Sequence, residues 1–265
     1  MKRIMSIVGA RPNFMKIDPL VRALNRYFDD FEHILINTGQ HYDSSMSKIF
    51  LDELDMPTPD INLEVGSNSH ALQTATIMKR FEPVLLDYNP DWLIVPGDVN
   101  STLACALVAS KLGIRVAHLE AGLRSFDRSM PEEINRVLTD QLSDLLLIPS
   151  LDAKANLMRE GIAEAKIHFV GNAMIDTLMR LLPKAQSRLL PLKKALSLKE
   201  SYILCTLHRP GNVDTPNNLS EIMAALEALA EDFDVVFPVH PRTRDRLNHL
   251  GILLSDSTKL KILDP

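Results

Sequence analysis

Three carboxylates, two histidines and a set of basic side chains share one kind of place in this 265-residue sequence, on the stretches that follow short apolar runs. Asp98 follows "DWLIVP" in "PGDVNST", and Glu120 follows "IRVAHL" in "EAGLR". Glu132 and Arg136 come shortly after, in "MPEEINR". Arg11 and Lys16 follow the first run, "RIMSIV", by way of Gly9-Ala10-Arg11-Pro12. Gln40 and His41 follow "FEHILIN" by way of Thr38-Gly39. His208 and His240 stand in "TLHRPGN" and "PVHPRT", each beside proline and arginine. Carboxylates gathered at one place can move protons on a polyol, and arginines beside tight turns can hold a diphosphate.

Each of these residues also has a plainer reading. Gly9 to Pro12 is a tight turn in which Pro12 starts a helix, and it is not a GxGxxG, so it carries no dinucleotide signal. Asp98 reads equally as a helix N-cap. Ser129 and Glu132 have capping-box spacing around Pro131, and Glu132 and Arg136 have the i,i+4 spacing of a helix-surface pair. His208 and His240 could be ordinary loop histidines, but their matching positions favour a site. Glu120 resists such a reading, because it follows a strand beside small residues where no helix yet needs a cap.

The apolar runs have the length and β-branching of buried strands: 3–8, 31–37, 91–96, 114–119, 144–149 and 166–171. Helical patterns begin near Met15, Asp43, His70, Ser101, Glu132 and Leu151. Alternation of this kind predicts a doubly wound parallel sheet, whose ligands bind outside the carboxyl ends of the strands. We read 1–172 as a Rossmann-like domain carrying the acid/base carboxylates. The basic, proline-containing 173–200 reads as a linker helix and spacer. The βα pattern restarts at 201–265, with strands at 201–207, 233–239 and 259–263, as a Rossmann-like nucleotide-binding domain that reads as incomplete.

Bulk composition narrows the function. A net charge of -5 gives no general attraction to nucleic acid or anionic membrane. The first apolar run is too short for a membrane span or a signal sequence. Cys105 and Cys205 lie a hundred residues apart without metal or redox spacing, which points to a reducing, cytoplasmic setting. With no metal-ligand spacing, nucleophile elbow or P-loop, the expected chemistry needs neither metal nor cofactor.

Taken in order, "VGARPNFMKIDPLVRAL", "TGQHYD", "PGDVNSTLACALVASKLGIRVAHLEAGLR", "MPEEINRVLTD", "VGNAMIDTL", "TLHRPGN" and "PVHPRT" resemble the non-hydrolysing UDP-N-acetylglucosamine 2-epimerases across essentially the whole chain. The resemblance implies two Rossmann-like domains facing a cleft, the GT-B-like arrangement of one class of glycosyltransferases, usually in a homodimer. It implies a UDP-sugar substrate and interconversion of UDP-GlcNAc and UDP-ManNAc through loss of the C2 proton, departure of UDP and its re-addition. Under it Asp98, Glu120 and Glu132 are the acid/base residues. Arg11, Arg136 and His208 contact the diphosphate, with His208 aiding its departure, and Lys16 is a further substrate contact; Gln40, His41 and His240 are substrate-contact candidates by their strand-end placement. Other readings stay open: an epimerase of a modified UDP-2-acetamido sugar, a hydrolysing epimerase, a UDP-sugar glycosyltransferase, or an inactive UDP-sugar-binding protein. Three carboxylates argue against glycosyl transfer, which needs at most one base.

Overall fold

The computed structural model describes residues 1–39, 51, 53–207, 209–252 and 259–264. Two compact units form, Met1–Leu182 and Pro183–Pro265.

In the first unit the strands are β1 (Lys2–Val8), β2 (Phe31–Asn37), β3 (Ile61–Asn62), β4 (Trp92–Pro96), β5 (Arg115–Leu119), β6 (Leu145–Ile148) and β7 (Ile167–Phe169). They make one parallel sheet in the order β3-β2-β1-β4-β5-β6-β7. The helices are α1 (Arg11–Leu24), α2 (His70–Tyr88), α3 (Asn100–Lys111), α4 (Pro131–Leu142), α5 (Leu151–Arg159) and α6 (Ala173–Ala195), with the division between units falling inside α6. Successive strand residues feed opposite faces, as the period of two requires. Met5, Ile7, Leu93 and Val95 pack with Ile77, Phe81 and Leu85 of α2 and Val108 of α3. Ile4, Val8 and Ile94 pack with Phe14, Ile17 and Val21 of α1 on the other side. Phe81 is fully buried, and truncating such a side chain typically costs about 3–5 kcal/mol.

This is the doubly wound sheet expected from the apolar runs, and its winding reverses between β1 and β4. Chains leaving adjacent strands there diverge to opposite faces and open a crevice at the carboxyl ends. Two local expectations fail. Met130, not Ser129, is the N-cap of α4, and Ser129 donates instead to Asp127 Oδ1 at 2.6 Å. A nearer carboxylate has claimed the hydroxyl that the capping box needed. Likewise Asp98 does not cap α3, whose N-cap is Val99.

The second unit contains β8 (Tyr202–Leu204), α7 (Pro210–Val213), α8 (Pro216–Asp232), β9 (Asp234–Pro238), α9 (Pro241–His249) and β10 (Leu260–Leu263). Its strands are parallel in the order β10-β9-β8, the winding sense of one half of a Rossmann sheet. Val235 and Phe237 of β9 make its core with Leu219 and Met223 of α8 and Leu247 of α9. No helix among the described residues is long and apolar enough to cross a membrane.

Candidate active site

The site is built where β1, β4 and β5 end. After β1 the chain turns at Gly9, where an added Cβ would lie 2.4 Å from Ser101 Oγ and 2.6 Å from Thr38 Oγ1. Those two hydroxyls hydrogen-bond at 2.7 Å, so only glycine lets the strand end pass so close. Asn13 then secures the turn. Its Oδ1 accepts from the backbone N–H of Ala10 at 3.0 Å, and its Nδ2 donates to the Pro96 carbonyl at the end of β4, 3.3 Å away. With the turn fixed, Arg11 stands half-buried at the first position of α1 and Lys16 points inward from the second turn.

Lys16 Nζ lies 2.6 Å from Glu120 Oε1, with side-chain exposures of only 10% and 18%. A Cβ on Gly97 would stand 2.8 Å from that ammonium, so the Gly97-Asp98 turn runs directly beneath the pair. Glu120 itself has φ 76°. An L-residue with that φ costs roughly 1–2 kcal/mol, and such residues cluster at functional sites because the surroundings must hold them there. Here the backbone N–H groups of Glu120 and Ala121 both donate to the Leu147 carbonyl, at 3.0 and 3.1 Å.

Asp98 is half-buried and pairs with Arg136 of α4. Its own carbonyl accepts from Asn135 Nδ2 at 2.9 Å. The expected Glu132–Arg136 surface pair is therefore absent: Arg136 turns inward to Asp98 and, at 3.0 Å, to Glu133. Glu133 also accepts from the backbone N–H groups of Ser125 and Phe126, both at 3.0 Å. Burial raises the Glu133 pKa, but the Ser125 and Phe126 hydrogen bonds and the Arg136 charge outweigh it and the net shift is downward. Glu132 is half-buried and makes no hydrogen bond or ion pair with the described residues. It lines a pocket of about 290 Å³ together with His70, Gln73, Asn100 and Asn135.

Beneath these groups His118 and Asp140 are completely buried, with Nδ1 2.6 Å from the carboxylate and Nε2 2.7 Å from the Gly97 carbonyl. Asp140 also accepts from the Gly122 N–H at 3.1 Å and from Arg124 at 2.7 Å. Burial raises the Asp140 pKa, but His118 and Arg124 hold it below the ordinary value. For Arg124, burial opposes the charge, while Glu160 and Asp140 more than offset it and push its pKa up.

Among the residues picked out by sequence, Lys16, Asp98, Glu120, Glu132 and Arg136 come together at this end of the first unit, with Arg11 on the adjoining turn. His240, in the second unit, is exposed and caps α9 by accepting from the Arg242 N–H at 3.3 Å. Gln40, His41 and His208 lie outside the described residues. Asn13, Asn135, Glu133 and Asp140 escaped the sequence reading as members of the site. Only Asp140 left a usable signal: Glu132, Arg136 and Asp140 recur every four residues, along one face of α4. No group of three or more His, Cys, Asp or Glu side chains among the described residues could hold a metal ion.

Fold and site together define a Rossmann-like α/β protein whose strand ends carry paired acidic and basic groups. A family profile described as UDP-N-acetylglucosamine 2-epimerase matches residues 22–265. The chain belongs to that family. It is 46% identical over 266 residues to a UDP-N-acetylglucosamine 2-epimerase homolog of Methanococcus maripaludis, covering 99% of this chain and 73% of the relative. It is 41% identical over 266 residues to the UDP-2,3-diacetamido-2,3-dideoxy-D-glucuronate 2-epimerase of Pseudomonas aeruginosa, covering 99% of this chain and 72% of the relative. The crystal structure of the Methanocaldococcus jannaschii UDP-GlcNAc 2-epimerase in complex with UDP-GlcNAc and UDP superposes with a TM-score of 0.89 at 44% identity, covering 99% of this chain and 73% of that one.

Proposed function

We propose that the protein interconverts UDP-GlcNAc and UDP-ManNAc without net hydrolysis. A carboxylate removes the C2 proton while the C1–O bond to UDP breaks, and the electron pair left at C2 forms the C1=C2 bond of a glycal. A second carboxyl group returns a proton to the opposite face of C2 as a β-phosphate oxygen of the retained UDP re-forms the bond to C1. Asp98, Glu120 and Glu132 are the acid/base candidates. Arg11 at the start of α1 and Arg136 are the diphosphate contacts, helped by the exposed N–H groups of a helix N-terminus. Lys16 supports Glu120 and the anionic substrate, His208 enters on the family resemblance, and Gln40, His41 and His240 enter by their strand-end placement. In the same reading the protein is a cytoplasmic homodimer.

One observation carries the reading: Glu120 is kept in a left-handed backbone conformation and locked to Lys16 beside the turn that bears Asp98. The test is product analysis. UDP-GlcNAc incubated with the purified chain should give UDP-ManNAc with no free UDP or ManNAc. Release of both would instead mark a hydrolysing enzyme. Conversion only of a 2,3-diacetamido uronate substrate would keep the chemistry and change the sugar.

A further inference from the structure

The mechanism above draws its base and acid from three candidate carboxylates on three separate pieces of chain, and something must hold those pieces in register. We propose that His118 and Asp140 are positioning residues for this proton-transfer site, a single buried pair that locks the Asp98 turn, the Glu120 turn and α4 together. The inference rests on the epimerase reading and deepens it.

The geometry is a three-way tie. From β5, His118 Nε2 reaches the carbonyl of Gly97, the residue before Asp98, at 2.7 Å. Its Nδ1 reaches Asp140 Oδ1 at 2.6 Å, and Asp140 lies two helical turns beyond Glu132 on α4. The other carboxylate oxygen accepts from the backbone N–H of Gly122, two residues past Glu120. Every candidate acid/base residue is therefore connected to this one pair through a short stretch of backbone or helix. A carbonyl oxygen can only accept, so Nε2 must donate, and Nδ1 donates to the ionised carboxylate. Both ring nitrogens thus have fixed partners. Arg124 and Glu160 complete the set, bound to each other through 2.7 and 2.5 Å contacts, and Arg124 also reaches Asp140 at 2.7 Å. A charged cluster largely withdrawn from solvent is costly to assemble and rigid once made, which suits support for a site that tolerates little displacement.

The experiment compares wild-type chain with His118→Gln, His118→Asn and Asp140→Asn. Glutamine keeps a donor near Nε2 and releases Asp140, while asparagine keeps one near Nδ1 and releases Gly97. Each variant is expected to lose about 100-fold in kcat per folded molecule while KM moves less than about threefold, the pattern of misplaced catalytic groups with binding preserved. In the wild type, 15N NMR should show both His118 ring nitrogens protonated. A kcat per folded molecule within about twofold of wild type, whatever the change in melting temperature, would overturn the proposal. So would a singly protonated ring. If wild type itself exchanges no C2 proton, the epimerase reading fails first, and the carboxyl 13C resonance of Asp98 decides the lock without turnover. Movement of the Asp98 resonance in His118→Asn, which releases Gly97, supports it, and an unchanged Asp98 resonance overturns it.

Discussion

Lys16 and Glu120 are 104 residues apart in the chain and 2.6 Å apart in space, one on the second turn of α1 and the other just past β5. Both side chains are largely withdrawn from water, so neither charge is well served alone. Removing one partner strands the other, and removing both costs less than the sum. Lys16→Met, Glu120→Gln and the double variant should therefore give a coupling of about 1–3 kcal/mol in urea unfolding. Strictly additive stabilities would show that the pair does not act as a unit.

The backbone at Glu120 gives a second test. Alanine and glycine both delete the carboxylate and the ion pair, and differ mainly in the cost of φ 76°. Glu120→Gly should be more stable than Glu120→Ala by about 1 kcal/mol, with both inactive. Equal stabilities would mean that the turn carries no strain.

Gly122 offers a steric test of the same turn. It has φ +78°, and a Cβ there would stand 2.7 Å from the Ala153 carbonyl oxygen and 3.0 Å from the Ala153 Cβ. Backbone strain alone predicts a loss of about 1–3 kcal/mol for Gly122→Ala, and the contact with α5 adds to it. Thermal unfolding measures the difference, and a neutral result would contradict the close approach of this turn to α5.

Acid stability should report Asp140 and Glu133. Their folded pKa values lie below the ordinary 3.8 and 4.5, so the folded form binds fewer protons than the unfolded chain in that range. The stability they contribute is present above those ordinary values and is lost as pH falls below them through the folded values. In Asp140→Asn part of this acid slope should disappear. An unchanged slope between pH 5 and 2 would show that Asp140 is not held ionised by His118 and Arg124.

The sheet was readable because each central strand is buried on both faces, so its sequence is almost continuously apolar. "FEHILIN" matches β2 at both ends, and the start at His70 is marked by Ser69, whose Oγ accepts from the Leu72 N–H at 3.4 Å. β3 passed unseen because two residues leave no periodicity. The run at 201–207 shrinks to Tyr202–Leu204, where the register with β9 ends at Leu204, although the Cys205 N–H still donates to the Val236 carbonyl at 2.9 Å. The site was legible as strand-end chemistry but not as pairings. Nothing local says that Arg136 prefers Asp98, 38 residues back, to Glu132, or that Ser129 turns to Asp127. The partners of His118 could not be read either, because Gly97 past β4 and Asp140 of α4 are brought beside it only by the folded sheet.

In the proposed function, carboxylates at these strand ends exchange the proton at sugar C2. The most direct measurement is proton NMR of UDP-GlcNAc with the chain in D2O, beside Glu120→Gln. The account predicts UDP-ManNAc carrying deuterium at C2 with the wild type, and a loss of about 100-fold or more in the variant. Epimer formed with its original C2 proton retained, or exchange undiminished in Glu120→Gln, would contradict it.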